Sequence, residues 1–395
     1  MIILGIDTSC DDTCVSIVEA KNSKTQTLDF KILSNIVSSQ VKIHRKYKGV
    51  YPTMAKREHQ KNLIPVLERA IKKAKISKKT QKANNVPQPR LKILKEILNR
   101  EKDLLERLIK FLNKYKEPKI DLIAVTIGPG LEPCLWEGVN LAKSLSYFWK
   151  KPIVPVNHIK AHILANWLFP MSENLELFPA LCLVISGGHT ELILMRDYKR
   201  YKLIGETRDD AAGECLDKTA RILGLPYPGG PEIEREAKKY CPRDNSYKIK
   251  LPRPMLHTKD YDFSFSGLKT AVLYDFKKRP LRSRKSKKYV RAMAAEIQKA
   301  IIDVVVFKTL KAVKEFKAKA VLLGGGVAAN ERLRREFDSQ LKKFKPQVKL
   351  LVPPKAFCTD NAAMVATAGY FQYLQGNQKN WKEIKAESAL KIKDC

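Results

Sequence analysis

The chain opens with an apolar run, Ile2 to Ile6, a polar turn, Asp7-Thr8-Ser9-Cys10-Asp11-Asp12-Thr13, and a second apolar run, Val15 to Val18. Two short apolar runs flanking a turn rich in acids and hydroxyls read as a β-hairpin. A helical stretch follows from about Lys56 to Lys75, and then a polar, proline-containing segment from Ser77 to Pro89 that has neither an apolar stripe nor turn chemistry to order it. Between Leu91 and Tyr115, the residues Leu94, Ile97, Leu98, Leu105, Leu108, Ile109, Leu112 and Tyr115 recur at helical spacing among lysines and glutamates. This periodicity predicts one long amphipathic helix docked by its stripe on the first domain and reached through a mobile basic loop.

Three times thereafter a buried strand runs into a glycine turn. Leu122 to Ile127 leads into Gly128-Pro129-Gly130-Leu131 and a helix from about Leu135 to Trp149. Ala180 to Ile185 leads into Ser186-Gly187-Gly188-His189-Thr190, and Ala320 to Leu323 into Gly324-Gly325-Gly326-Val327-Ala328-Ala329-Asn330 and another helix. A residue without a side chain lets the backbone approach a phosphate or ribose closely, and a strand, glycine turn and helix start together make an anion-friendly nest. Neither GxxxxGK[ST] nor a strict GxGxxG is present, so the site is not a P-loop or a Rossmann fingerprint. The hairpin and the repeated strand–turn–helix syntax predict an internally duplicated α/β fold that closes on a nucleotide.

Composition adds bounds. A chain of 395 residues, 44% of them hydrophobic, can bury two cores. The first apolar run stops at Asp7, too soon for a signal peptide or a membrane span, so the expected compartment is the cytoplasm. Eight cysteines lie scattered without CxxC pairs and read as reduced and mostly structural. Charge changes the picture most: 75 Lys+Arg against 41 Asp+Glu give a formal net charge of +34. A polyanionic partner is the physical default at such an excess, although a lysine-rich surface that only keeps the protein solvated has the same composition. Clustering favours the partner, because Lys277-Lys278-Arg279-Pro280-Leu281-Arg282-Ser283-Arg284-Lys285-Ser286-Lys287-Lys288 holds no acid and reads as a flexible loop able to follow a phosphate backbone.

The densest candidate chemistry is Val156-Asn157-His158-Ile159-Lys160-Ala161-His162. Two histidines four apart on a helix share a face and can grip one zinc, iron or nickel ion, given a further ligand from elsewhere. The bland alternative is a partly buried, hydrogen-bonded pair near a helix start. Asp360, in Cys358-Thr359-Asp360-Asn361 at the start of an apolar helix, is a natural third ligand, though a helix N-cap would use the same residue type. Asp11 and Asp12 on the first hairpin could hold a cation, position water or act as a general base. Acids crowd the stretch from Glu206 to Asp217 and return at Glu232 and Glu234, beside Tyr227-Pro228-Gly229-Gly230-Pro231. Asp217 and Glu234 either accept hydrogen bonds from ribose or substrate hydroxyls or cap helices.

Taken in order, Ile6 to Thr13, Gly128 to Leu131, His158 with His162, Ser186 to Thr190, Asp209-Asp210-Ala211-Ala212-Gly213-Glu214, Tyr227 to Pro231, Asp262 to Thr270, Gly324 to Asn330 and Cys358 to Asn361 resemble the tRNA N6-adenosine threonylcarbamoyltransferase family over nearly the whole chain. The resemblance implies the duplicated actin, sugar kinase and Hsp70-like two-lobed α/β fold with the active site in the interlobe cleft. The lobes would be residues 1–155 and 156–395, the second carrying most of the metal and adenylate site, with a lysine-rich insertion at about 77–116 and a last helix free to return to the N-terminal lobe. It implies transfer of a threonylcarbamoyl group from threonylcarbamoyl-adenylate to N6 of the adenosine 3′ of the anticodon, in tRNAs reading codons that start with A. His158, His162 and Asp360 would hold one iron or zinc ion. Val184, Ile185, Ser186, Gly187, Gly188, Asp217, Gly230, Glu234 and Asn330 would contact the adenylate. The wording of the motifs looks bacterial, which implies a paralogous partner subunit and a small ATPase beside tRNA, and no membrane.

Two features depart from the family's pattern: Glu132 and Trp136-Glu137 stand where small or apolar residues are expected after the GPGL turn, and the insertion is one of them as well. A metalloendopeptidase would need HExxH, and position 159 is Ile. A sugar or acetate kinase shares the fold class without needing the histidine pair, and a non-catalytic ATP-binding scaffold in a tRNA-modifying complex is the closest rival.

Overall fold

The computed structural model describes residues 1–22, 28–80, 86–169, 176–243 and 247–392. It forms two compact units, one of Met1–Lys42, Val50–Leu175 and Asp360–Ile392, the other of Ile43–Gly49 and Glu176–Thr359. In chain order the elements are β1 (Ile2–Asp7), β2 (Thr13–Asn22), β3 (Leu28–Ser38), α1 (Val41–His44), α2 (Pro52–Ala74), α3 (Gln88–Ile97), α4 (Lys102–Lys114), β4 (Leu122–Gly128), α5 (Glu132–Trp149), β5 (Ile153–Asn157) and α6 (His158–Leu164). They continue with β6 (Ala180–Ile185), β7 (Thr190–Met195), β8 (Tyr201–Glu206), α7 (Ala212–Ile222), α8 (Gly229–Lys238), α9 (Ser266–Lys278), α10 (Leu281–Arg284), α11 (Lys287–Glu315), β9 (Ala320–Gly324), α12 (Glu331–Phe344), β10 (Lys349–Leu351) and α13 (Ala362–Leu374).

The first sheet runs β3-β2-β1-β4-β5 and the second β8-β7-β6-β9-β10. In each, three antiparallel strands are followed by two that join in parallel, with β1 and β6 in the corresponding central places. The topology is therefore duplicated, as the repeated syntax predicts, and it is the arrangement of the actin, sugar kinase and Hsp70 class. The central strands are buried throughout, which is why they read as continuous apolar runs without alternation. Cys10, Cys14, Cys134, Cys182, Cys215, Cys241 and Cys358 carry free thiols. Among the described residues no helix is long and apolar enough to cross a membrane.

One element decides where the first unit's chemistry sits. Helix α13, Ala-Ala-Met-Val-Ala-Thr-Ala-Gly-Tyr-Phe-Gln-Tyr-Leu, is buried from Ala362 to Phe371. A helix that is apolar all round has to be enclosed, and two glycines allow it to lie directly on the sheet. A Cβ at Gly5 of β1 would stand 2.2 Å from the Ala362 carbonyl, and one at Gly369 would stand 2.3 Å from Cβ of Ala124 in β4.

The segment from Leu91 to Tyr115 is two helices, α3 and α4, and not the single helix that its periodicity suggests. Carried through as one helix, the stripe would bring Glu101 into register with Leu94, Leu98 and Leu108. The chain instead turns at Leu98 to Glu101, so that Leu94, Leu98, Leu104, Leu108, Phe111 and Leu112 all reach the same core. Part of the segment expected to be a free loop is paired: Thr80 N donates to Lys114 O and Lys116 N to Lys78 O, each at 3.0 Å. Residues 81–85, Lys82 among them, lie outside the described residues. The basic run from Lys277 to Lys288 is likewise not an open loop, because it ends α9, forms α10 and begins α11.

Glu137, anomalous in the sequence, is completely buried on α5. Gln60 of α2 donates to its Oε1 at 3.0 Å, and Lys56 lies 3.7 Å from the same oxygen. Glu101, ahead of α4, is buried as well, and Oε2 of each glutamate lacks a hydrogen-bond partner. Burial pushes Glu137 up to about 7, with the Glu101 charge adding to it, and burial also raises Glu101. The folded state thus holds a proton at Glu137 that the unfolded chain releases near 4.5. Stability is fullest below that pH, falls as pH rises through the window from about 4.5 to about 7, and is flat above it. We expect Glu137→Gln to be more stable than wild type at pH 8 by roughly 1–3 kcal/mol, with the gap closing at pH 4.5. Urea denaturation at the two pH values checks this, and an equal gap at both would refute it.

Candidate metal centre

The histidine pair is placed by a cap. Asn157 ends β5 and turns its side-chain oxygen onto Ile159 N at 2.9 Å and Lys160 N at 3.1 Å, so α6 begins at His158 itself. One turn later comes His162, its ring centroid 4.6 Å from that of His158. Both side chains are buried. Asp360 reaches them from the residue pair that precedes α13: its Oδ1 lies 3.2 Å from His162 Nε2 and 3.5 Å from His158 Nε2. Asn361, not Asp360, caps α13, accepting from Met364 N at 3.1 Å, so the carboxylate of Asp360 is not committed to the helix start.

These residues fit a metal ion. One ligand atom from each of His158, His162 and Asp360 lies within 4.8 Å of the others. Ligands about 2.1 Å from one ion are roughly 3.0–3.4 Å apart in octahedral or tetrahedral geometry, which matches the carboxylate-to-imidazole separations. The stronger observation is that His162 Nε2, the ring nitrogen that faces Asp360, is buried without a hydrogen-bond partner. Such an orphan costs of order 1–3 kcal/mol, and a cation bound at that nitrogen removes the cost. Asp7, at the end of β1, places Oδ2 3.3 Å from His158 Nδ1, where a carboxylate fixes a ligating imidazole's orientation. Burial presses His158 down, yet the Asp360 and Asp7 carboxylates outweigh it and lift the imidazole to about 10. Burial and His158 together hold His162 below its ordinary value. Asp360 is drawn well below the usual carboxylate range, His158 and His162 overcoming the effect of burial.

The model of the tRNA N6-adenosine threonylcarbamoyltransferase family matches residues 31–83 and 98–367. The curated protein of that name from Thermosipho africanus is 42% identical over 393 residues, covering 99% of this chain and 100% of the relative. The one from Persephonella marina is 41% identical over 376 residues, 94% of this chain and 90% of the relative. The chain belongs to the tRNA N6-adenosine threonylcarbamoyltransferase family. It is therefore a transferase, as its motifs suggested. The family model passes over residues 84–97, inside the stretch that reads as an insertion.

The β1–β2 turn of this family member is clamped from α2. His59, fully buried, sets Nδ1 2.8 Å from Thr13 Oγ1 and Nε2 3.0 Å from the Cys10 carbonyl, so its two nitrogens bracket Asp11 and Asp12. A carbonyl only accepts, so Nε2 carries the hydrogen and Nδ1 accepts from the threonine hydroxyl. Burial, then Asp11 and Asp360, push Asp12 up to about 7. Neither Asp7 nor His59 was found by reasoning from motifs. The available signal for His59 was its place on the buried stripe of α2 between Ala55 and Leu63.

The residues assigned to the adenylate all lie in the second unit. Val184 and Ile185 are buried at the end of β6, while Gly187 and Gly188 are exposed, with nothing within 4 Å of where a side chain would start. Gly213, at the start of α7, packs so closely that its Cβ would stand 2.4 Å from Ser186 O, and Gly325 holds φ +86° against Ile185. Asp217 accepts from Gly229 N at 2.6 Å, steadying the start of α8 on which Gly230 sits. Glu234 accepts from Glu331 N at 3.0 Å, and Asn330 caps α12 at Leu333 N, also at 3.0 Å. The turns after β6 and β9 and the starts of α7, α8 and α12 are thus linked by direct contacts within this unit, an arrangement of backbone amides suited to an anion.

For the metal centre the expectation is quantitative. His158→Ala and Asp360→Ala should each retain less than a tenth of the metal bound by wild type after zinc or ferrous iron loading, with unchanged far-ultraviolet dichroism. Full metal content in either variant, read by plasma mass spectrometry, would remove that residue from the ligand set.

Proposed function

We propose that this chain transfers the threonylcarbamoyl group of threonylcarbamoyl-adenylate to N6 of the adenosine 3′ of the anticodon in tRNAs that read codons starting with A. The observation that carries the proposal is the His158–His162–Asp360 cluster with its buried, unpartnered His162 Nε2, in a chain of this family. Iron(II) is the ion we assign to it, because two imidazoles, one carboxylate and open positions suit that metal, with zinc the alternative. When bound, the ion supplies Lewis acidity toward the acyl oxygens and a template for their orientation.

The rest falls to the chain's own residues. We assign the adenylate to Val184–Gly188, Asp217, Gly230, Glu234 and Asn330. Amides at Gly187 and Gly188 meet phosphate oxygens, and Asp217 and Glu234 take the ribose hydroxyls. In the reaction the N6–carbonyl bond forms and the mixed-anhydride C–O bond breaks, with AMP leaving as the phosphate monoester. The amine's proton goes to a carboxylate of the β1–β2 turn, and Asp12 is the better matched of the two because its affinity for a proton is near neutral. His59 keeps that turn in place. A paralogous subunit and a small ATPase are the partners we infer for turnover in the cytoplasm.

The test is to mix the protein with threonylcarbamoyl-adenylate and unmodified tRNA, with and without candidate partners, and to read the modified nucleoside by mass spectrometry. Wild type should form it. Asp12→Asn should slow formation by 10²-fold or more, the scale of a lost general base, with its metal content intact. His59→Ala should slow it while leaving metal content unchanged, and His59→Gln, which can still donate to the Cys10 carbonyl, should recover part of the rate. Absence of product with every partner present would favour a non-catalytic scaffold.

A further inference from the structure

The run from Lys277 to Lys288 is built as a rigid elbow between α9 and α11, and two of its arginines are spent on building it. Arg279 donates to Asp275 Oδ1 from Nε at 3.1 Å and to Oδ2 from Nη2 at 3.0 Å, and its guanidinium lies 5.7 and 5.8 Å from the ring centres of Tyr247 and Tyr289. Tyr289, fully buried, donates to the same aspartate at 2.9 Å. Arg284 donates to the Arg279 carbonyl at 2.7 Å and to the Lys277 carbonyl, and stacks 5.4 Å from the centre of Phe276. These contacts also satisfy carbonyls at the end of α9, whose partial negative charge would otherwise repel an anion.

What the elbow leaves outside is a cationic face: Lys277, Lys278, Arg282, Lys285 and Lys287 are all exposed. Asp275, one turn before Arg279 on α9, is occupied by Arg279 and Tyr289. Tyr274 is 59% exposed and stands three and four residues before Lys277 and Lys278, on the same face of α9. Exposed cations beside an exposed aromatic ring match a nucleic-acid strand, which offers phosphates at regular spacing and a base to stack. An acidic protein surface would use the charges but has no need of the ring.

We infer that this elbow is a docking surface for the tRNA, distinct from the site of acyl transfer, in which the cations contact backbone phosphates and Tyr274 stacks on an unpaired base. The inference rests on the reading of tRNA as the substrate. It is tested with the full chain and a fluorescein-labelled, unmodified tRNA transcript, by anisotropy between 50 and 300 mM KCl. The variant Lys277→Gln/Lys278→Gln/Arg282→Gln/Lys285→Gln should bind at least tenfold more weakly at 100 mM KCl. Its plot of log affinity against log salt should be shallower by about three to four units, near one per lost phosphate contact. Tyr274→Ala should lose about tenfold in affinity with no change of slope, since stacking releases no counterions. Wild-type affinity and slope in the quadruple variant would overturn the inference, and if modification slowed nonetheless the elbow would belong to an acidic protein partner. Failure of wild type itself to bind the transcript would overturn the tRNA reading along with it.

Discussion

The contact on which the first unit's chemistry depends is the seating of α13 on the sheet. The carboxylate that faces His158 and His162 belongs to Asp360, about two hundred positions further along the chain. It arrives because an entirely apolar helix has to be enclosed and because Gly5 and Gly369 let it lie on β1 and β4 at backbone distance. Asp360 precedes that helix, so the enclosure of its apolar surface delivers a carboxylate to two imidazoles. The Cys14 thiol, reaching the Asp360 carbonyl at 3.6 Å, adds a tether from the neighbouring strand. The geometry of the cluster is a consequence of packing, and a side chain at Gly5 would displace Asp360 by displacing the helix.

The same unit contains two buried polar clusters that meet the cost of burial differently. Around His158 two imidazole Nε2 atoms face the Asp360 carboxylate, a donor set that could hold a divalent cation. Around Glu137 the orphaned groups are two carboxylate oxygens with one partly exposed lysine nearby, a set that a proton satisfies. The first is suited to a cation and the second couples the unit to pH. The second also joins α2, α5 and the start of α4, so the segment around the stretch that the family model passes over is held by polar as well as apolar contacts.

Duplication of the sheet topology puts two turns in corresponding places, after β1 and after β6, and the chain has equipped them oppositely. The turn after β1 carries Asp11 and Asp12, held by His59 and crowded enough to raise Asp12's affinity for a proton. The turn after β6 carries Gly187 and Gly188, with no side chain and no charge. One place in the repeated fold thus carries crowded carboxylates and the other bare backbone, a division that requires only a change of residue type on a shared scaffold.

Much of this was legible along the chain. Continuous apolar runs marked β4, β6 and β9, glycine turns marked where they end, and helical spacing alone put His158 beside His162, because those relations are local. Three kinds of feature were not. The strand β10 has only three residues, too few for a period to show. The break between α3 and α4 follows from a shared core that pulls two stripes together, while the periodicity of each stripe is unaffected by it. Asp7 and His59 look like any strand-end acid and any stripe histidine until the sheet and α2 bring them to His158 and to the turn. Residue spacing determined which side chains share a face. Tertiary packing decided which faces meet, and in so doing decided that Asp360 faces the histidine pair while Asn361 caps the helix.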